Sequence, residues 1–395
     1  MRHLCTMLLF LILASFAGIS SQVITTSPVI VQENSSPIVI TFHADRGNKG
    51  LMGLPSNTGI YAHTGVILSG SDEWEYAPAW GDNASKYKLT YKSANTWTLT
   101  IPDIKSYYGI KENETVTRLA FVFRTADNSK EGKTEDGGDI FVNVYPSTGL
   151  SLVTTPSVAP ATLNETTVVS FTANTTEKAD IEFFLNDKSV KTAADVDVLS
   201  YSCTISKIGL TTVKVRATTG SETKEQTFSY VLAGAPVKKD YPGGRPVMGA
   251  IRNADGDVLF CLAAPGKTRA SLCGSWNGYL SETTTNYCDY EGNRYFWWKV
   301  SGLNENTDYI YYYNVEGIKV GDPYARLILD PWNDKYIPET VFPNLPKYPT
   351  EHVNNVSLAV YNSGRDNYEW KIKNFKGVDQ NRLVTVSYTH LRAHE

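Results

Sequence analysis

Along most of this chain apolar and polar residues alternate in short runs, the period of two expected of strands with one buried face. In the first 145 residues such runs fall at 37–42, 87–91, 96–101, 118–124 (RLAFVFR) and 140–145, separated by clusters of Gly, Asn, Asp and Ser. Within NTWTLTI, Trp97, Leu99 and Ile101 share a face, which assigns Trp97 to a core. A second group covers 167–173, 179–185, 199–205, 211–217 and 225–231, with Asn186-Asp187 as a turn and Cys203 facing inward among Tyr201 and Ile205. A third group covers 258–263, 270–273, 295–300 and 309–315. A Ser/Thr/Pro-rich stretch at 146–160 and a Gly/Pro-rich one at 233–245 read as linkers between the groups. No amphipathic helical period precedes Pro349, so there is no βαβ alternation from which to build a barrel. The expected fold class is all-β: three tandem immunoglobulin-like β-sandwich domains with no catalytic (β/α)8 barrel.

The 395 residues suffice for two to four domains, each with its own core. A net charge of −4 without any Lys/Arg stripe excludes nucleic acid as the expected partner. Aromatic residues make up 12% of the chain, and their rings suit both sheet faces and the apolar faces of sugars. At the N-terminus, Arg2, an apolar stretch over 8–17 and the small residues Gly18, Ser20 and Ser21 form the pattern of a secretory signal peptide spanning 1–21. That stretch, about 10 residues, is far short of the roughly 20 a membrane helix needs, and no other segment is expected to cross a bilayer. Cys5 precedes the apolar core, so no lipid anchor is expected; the location is periplasmic, extracellular or at the cell surface. Past residue 21 remain Cys203, Cys261, Cys273 and Cys288, whose spacing fits no zinc pattern. They are expected to be structural thiols or to include one Cys273–Cys288 disulfide.

The segment GDPYARLILDPWND at 321–334, followed by a proline-punctuated run to Pro349, resembles the bridge between an N-terminal β-sandwich and the catalytic barrel in α-amylase-superfamily glycoside hydrolases (family thirteen). Four landmarks of that family's early-set sandwich occur in order: GSWNGY at 274–279, Trp297-Trp298, YIYYYN at 309–314, and Asp322-Pro323-Tyr324. NFKGVDQNRLV at 374–384 is similar to the lead-in to the first barrel strand, but the strand itself does not follow. The closing SYTHLRAHE is similar to translated sequencing-adapter read-through, so 386–395 is expected to be an artefact. The resemblance implies hydrolysis of α-1,4-glucan links by a whole protein whose catalytic carboxylates sit on barrel strands. No catalytic residue is expected in this chain, because neither G-x-R-x-D nor N-H-D occurs. The histidines are likewise unaccompanied by a nucleophile elbow.

Candidate ligand chemistry concentrates in the first group of strands. Tyr61, His63, Trp74, Trp80 and Asp82 are the expected carbohydrate-binding residues, since flat rings stack on sugar C–H faces while polar neighbours such as Asp82 or Lys86 meet the hydroxyls. The cluster resembles starch-binding modules. No metal site or cofactor is expected: Asp330-Pro-Trp-Asn-Asp334 alone cannot supply calcium's roughly six to eight oxygens, and the acidic loop 127–139 departs from a calcium-loop spacing and reads as a solvated hairpin tip. One of Trp297 and Trp298 must face inward, leaving the other for a barrel or a glycan. The domain map is therefore signal peptide 1–21, starch-binding sandwich 22–146, immunoglobulin-like spacer 147–234, early-set sandwich 235–348, barrel lead-in 349–385 and tail 386–395. The expected function is the non-catalytic accessory portion of a secreted α-amylase-like hydrolase, with starch or a related α-glucan and the missing barrel as partners. A cell-surface glycan-binding protein with no enzymatic domain and a purely structural adhesion-type protein are the alternatives.

Overall fold

The computed structural model describes residues 22–365 apart from Asp136, Val158, Pro160, Ala161 and Asn354. The expected signal peptide, most of the barrel lead-in and the tail lie outside the described residues. Nearly all regular structure is strand, as alternation requires, and no described helix is long and apolar enough to cross a membrane.

The first sandwich packs two layers, antiparallel except that Val31–Gln32 runs parallel to Ile140–Tyr145. One carries strands Ile24–Ser27, Ile38–His43, Thr96–Ile101 and Thr90–Ser93; the other carries Val31–Gln32, Ile140–Tyr145, Val116–Thr125 and Ile60–Leu68. Register pairs Ile38 with Ile101, Ile40 with Leu99 and Phe42 with Trp97, so one inward face from each strand forms a continuous apolar floor. Trp97 is fully buried there, as its alternation dictates. Strand Ile60–Leu68 goes unread in the sequence because its inward set, Ile60, Ala62, Thr64 and Val66, contains a hydroxyl. Burial is tolerated because Thr64 Oγ1 hydrogen-bonds Tyr108 Oη at 2.6 Å. Tyr108 ends a one-turn helix, Ile104–Tyr108, which the alternation also conceals. Asp103 caps its start by accepting from Ser106 N, and Gly109 ends it in the left-handed region at φ 78°.

The second unit is built around one long hairpin, Thr167–Leu185 and Lys188–Ile205, with both Asn186 and Asp187 at positive φ as its two-residue turn requires. The two runs expected at 167–173 and 179–185 are one strand, with pairing irregularities between Asn174 and Ala179, between Ala179 and Ile181, and between Phe183 and Phe184. Strand Leu152–Thr155 pairs with the first half, and Gly209–Thr218, itself paired with Thr223–Leu232, pairs with the second. Phe171 from the first half lies 5.2 Å from Phe228 and 6.1 Å from Tyr230, so the sheet closes on itself over a shared core. Cys203 and Ile205 are buried in that core.

The third sandwich opposes the layer Val237–Lys238, Asn286–Tyr290, Asn293–Val300, Val258–Ala263, Gly249–Arg252 to the layer Ala270–Gly274, Tyr309–Val315, Leu358–Tyr361, Leu327–Leu329. Leu358–Tyr361, expected in the barrel lead-in, is thus a sheet strand lying between two others. Both outer faces are covered by flanking chain. Tyr241 packs over Leu259, Cys261, Cys288 and Trp297 on one side; Tyr348 and Val353 pack over Cys273, Tyr312, Leu329 and Val360 on the other. One expectation changes as a result, and of the two alternatives for the cysteines the structural thiols hold. Trp298 faces the inter-sheet core, but Trp297 is also buried, its Nε1 donating to Lys239 O at 3.1 Å, so it is not free for a barrel or glycan. Cys273 and Cys288 sit under opposite covers and are free thiols, so no disulfide joins them.

Asp322 locks this sandwich. It is 1% exposed, and its Oδ2 accepts from Tyr311 Oη at 2.8 Å and Tyr313 Oη at 3.0 Å while Oδ1 accepts from Tyr324 N at 2.8 Å. The acidic-aromatic motif therefore satisfies its own buried groups. In the next turn Asp330 accepts from the backbone N–H of Trp332 and Asn333, and Asp334 accepts from Asp330 N, so these carboxylates are occupied in shaping their own loop.

Candidate functional site

On strand Ile60–Leu68 the residues alternating with the core set, Tyr61 and His63, point to the outer face of the layer. The segment after Leu68 folds back over that face. Val66 and Glu75 exchange backbone hydrogen bonds at 3.0 and 2.8 Å, and a Cβ on Gly65 would meet Glu75 O at 2.8 Å, so only glycine admits the crossing. The fold-back delivers Trp74 onto His63, the rings stacked at 5.4 Å and 19°. Trp80 then meets the same imidazole edge-on at 4.8 Å. Trp74 is held from behind by Nε1 donating to Asp139 Oδ2 at 3.1 Å.

Beneath lies a residue the sequence reading passes over. Arg124, opposite Tyr61 in the strand register, is 1% exposed. Its guanidinium carbon is 5.7 Å from the Tyr61 ring centre and 5.9 Å from that of Trp80, within reach of cation–π attraction. It donates to Asn83 Oδ1 at 2.9 Å, to Thr125 O at 3.2 Å and to the carbonyl of Asp82, tying the loop that carries Trp80 to the strand below. The only signal for it is the charge itself: a single cation closing the otherwise apolar run RLAFVFR after its first residue, at a position where solvent would be the ordinary environment.

Four of the five expected residues come together: Tyr61 and Trp80 lie over this guanidinium, and His63 meets Trp80 and Trp74 with its ring. Asp82 joins through its backbone: its side chain accepts from Ala84 N at 2.9 Å and shapes the turn, and its carbonyl accepts a hydrogen bond from Arg124 Nη2. Lys86 points elsewhere, its ammonium lying over the rings of Tyr87 and Tyr107. His63 is held below the ordinary imidazole range by burial and then by the Arg124 cation, with Asp139 opposing, so at neutral pH it is an uncharged ring between two indoles. Trp80 remains 47% exposed, which leaves a ring face available above a rigid base. Chemically this is a stacking platform with polar edges. In the nearby acidic loop, Asp127 accepts from Thr125 Oγ1, Ser129 N and Ser129 Oγ, which hold its carboxyl down at about 2.

No family model matches the chain, and no curated protein matches it. Among solved structures it is similar to the fibronectin(III)-like modules of Clostridium thermocellum CbhA, at 12% identity over 53% of this chain and 93% of that one, TM-score 0.17. It is also similar to the Group B Streptococcus pullulanase SAP, at 13% identity over 48% of this chain and 25% of that one, TM-score 0.19. A marsupial T cell receptor shares 12% identity over 74% of this chain and 96% of that one, TM-score 0.19. Likeness at this level carries no argument about function, and the all-β sandwich architecture rests on the strand pairings themselves.

Proposed function

We propose that the first sandwich binds carbohydrate through the Trp80–His63–Trp74 platform, and that the chain is the exported, non-catalytic accessory portion of an α-amylase-like hydrolase acting on starch-type α-glucans. The observation carrying the binding reading is a half-exposed indole held above a buried arginine by three hydrogen bonds to its own loop and strand. Such pre-organisation costs little ordering on binding, and a sugar ring stacked there covers the exposed face. The starch assignment is supported by the ordered landmarks GSWNGY, Trp297-Trp298, YIYYYN and Asp322-Pro-Tyr.

The same reading accounts for an apolar strip on the third sandwich. Trp332, Tyr336 and Val341 are 53%, 73% and 72% exposed along one segment that otherwise packs back through Leu345 and Tyr348. A catalytic barrel is the partner this reading assigns to the strip. Migration of the chain in native gels cast with amylose tests the binding half: retardation is expected, and Trp80→Ala abolishes it with the circular dichroism unchanged. Equal mobility with and without amylose would remove the reading.

A further inference from the structure

The outer strand Lys188–Ile205 of the second unit pairs only with Thr167–Leu185, and no other backbone hydrogen bond reaches it among the described residues. An unpaired edge of this length is a template for another strand, and folded proteins ordinarily blunt such edges with lysines, bulges or covering chain. Two other long outer strands are covered. Ile60–Leu68 is crossed by backbone bonds with Glu75 and Leu89. Thr223–Leu232 is met by Leu163 at its end, and its Gln226 accepts from Thr154 Oγ1 and donates to Ser157 O.

Lys188–Ile205 is blunted over one half only. Its first half carries Lys188 and Lys191, and its pairing slips where Ala194 and Asp195 together face Asp180, with Asp195 at φ 55°. Its second half, VLSYSCTI at 198–205, holds no charge and no proline and stays in unbroken register with 167–174. Leu199, Tyr201, Cys203 and Ile205 face the core, while Val198, Ser200, Ser202 and Thr204 are exposed.

That second half is complementary to itself. A two-fold axis at Tyr201, perpendicular to the sheet, sets two such strands antiparallel with Ser200 of one copy opposite Ser202 of the other, Val198 opposite Thr204, and Tyr201 opposite Tyr201. Inward residues stay inward in this register. The outer face already pairs hydroxyls from strand to strand: Ser202 Oγ donates to Ser170 Oγ at 2.8 Å, and Thr172 Oγ1 and Ser200 Oγ are 2.9 Å apart. A second copy continues this ladder across the edge, with an aromatic pair beneath it. Just past the run, Lys207 of one copy is brought toward Asp195 and Asp197 of the other. Neither Lys207 nor Asp197 has an ion-pair partner among the described residues, and Asp195 meets Lys178 at 3.3 Å.

We infer that the second unit is a dimerisation module, in which two copies of this chain join their 198–205 edges into one continuous sheet. Pairing confined to one short run gives a small interface, so the dimer is weak and reversible, at roughly micromolar affinity. Such a dimer carries two copies of the first-sandwich platform. The gain in avidity rests on the carbohydrate reading, whereas sedimentation involves no glycan and judges the dimer separately.

Sedimentation equilibrium of the full chain from about 1 to 300 μM tests the inference, beside the double variant Ser200→Lys/Ser202→Lys. Both positions are exposed, so the variant is expected to fold, with circular dichroism as the check. The parent is expected to pass from monomer to dimer over that range. The variant sets ammonium against ammonium across the axis and is expected to weaken association at least about tenfold. A second measurement needs no lysine: an equimolar mixture of Val198→Cys and Thr204→Cys chains is oxidised. The mixture is expected to cross-link, and either variant alone is not, because its own introduced thiols lie far apart along the strand. A parent that stays monomeric throughout, a dimer that a folded lysine variant leaves unmoved, or a mixture that cross-links no better than its components would overturn the inference.

Discussion

Replacing Asp322 by alanine is the sharpest perturbation of the third sandwich. The side chain sits at 1% exposure and accepts three hydrogen bonds, from Tyr311 Oη, Tyr313 Oη and Tyr324 N. Burial pushes both phenols well above their ordinary range, and the Asp322 charge adds to it, so both stay protonated donors. Truncation leaves two buried hydroxyls and one partly buried N–H without an acceptor. At about 1 to 2 kcal/mol each, the loss is about 3 to 6 kcal/mol, a large part of the roughly 5 to 15 kcal/mol that holds a typical domain. Guanidinium unfolding followed by tryptophan fluorescence reports it, because Trp297 and Trp298 are both buried in this sandwich. The decisive comparison is in sign. With Asp322 present, Tyr311→Phe or Tyr313→Phe costs about 1 kcal/mol; with Asp322→Ala already made, the same change removes an orphaned hydroxyl and regains stability. An Asp322→Ala variant within 1 kcal/mol of the parent, or phenylalanine changes that cost the same in both backgrounds, would refute the reasoning.

Arg124→Met keeps much of the side chain's bulk but removes the donors to Asn83, Thr125 and Asp82; it is expected to destabilise the first sandwich by about 2 to 4 kcal/mol and to abolish glycan retardation, read by denaturant unfolding and amylose gels. For His63 the folded pKa lies below the ordinary 6.5, so the unfolded chain takes up the proton first. The imidazole's contribution is then complete above about pH 6.5 and is lost as pH falls from there toward the folded value, and it leaves the acid limb of a melting-temperature profile in His63→Gln. Burial pushes the Cys273 thiol up to about 11 and that of Cys261 to about 12, so Ellman's reagent is expected to find Cys203, Cys261, Cys273 and Cys288 unreactive in the native chain and reactive in guanidinium. Rapid native labelling of any of the four, or a missing thiol after unfolding, would contradict the buried free-thiol assignment.

Alternation read the architecture well wherever one face is purely apolar. Thr96–Ile101, Ile140–Tyr145, Val258–Ala263 and Tyr309–Val315 stand at the expected positions because their inward residues are all hydrophobic. It failed where a buried position carries a polar atom that finds its partner far away in sequence. Thr64 meets Tyr108, which hid strand Ile60–Leu68, and Arg124 meets the loop at Asp82 and Asn83. Period-two reasoning also treats a sheet as having one wet face. In the third sandwich both outer faces are covered by the chain's own flanks, which buries Trp297 and separates Cys273 from Cys288. Of the platform, the aromatic residues were legible as a composition cluster, but the fold-back through Gly65 that stacks them and the guanidinium that fixes them depend on contacts between strands.

The central claim is that a pre-organised indole in the first sandwich grips a neutral glucan, and calorimetric titration of the chain with maltoheptaose tests it most directly. Saturable binding is expected, weakened by Trp80→Ala by about 2 kcal/mol, roughly thirtyfold, with the fold intact. Absence of binding by the parent chain, or a Trp80→Ala variant that binds as the parent does, would contradict the account.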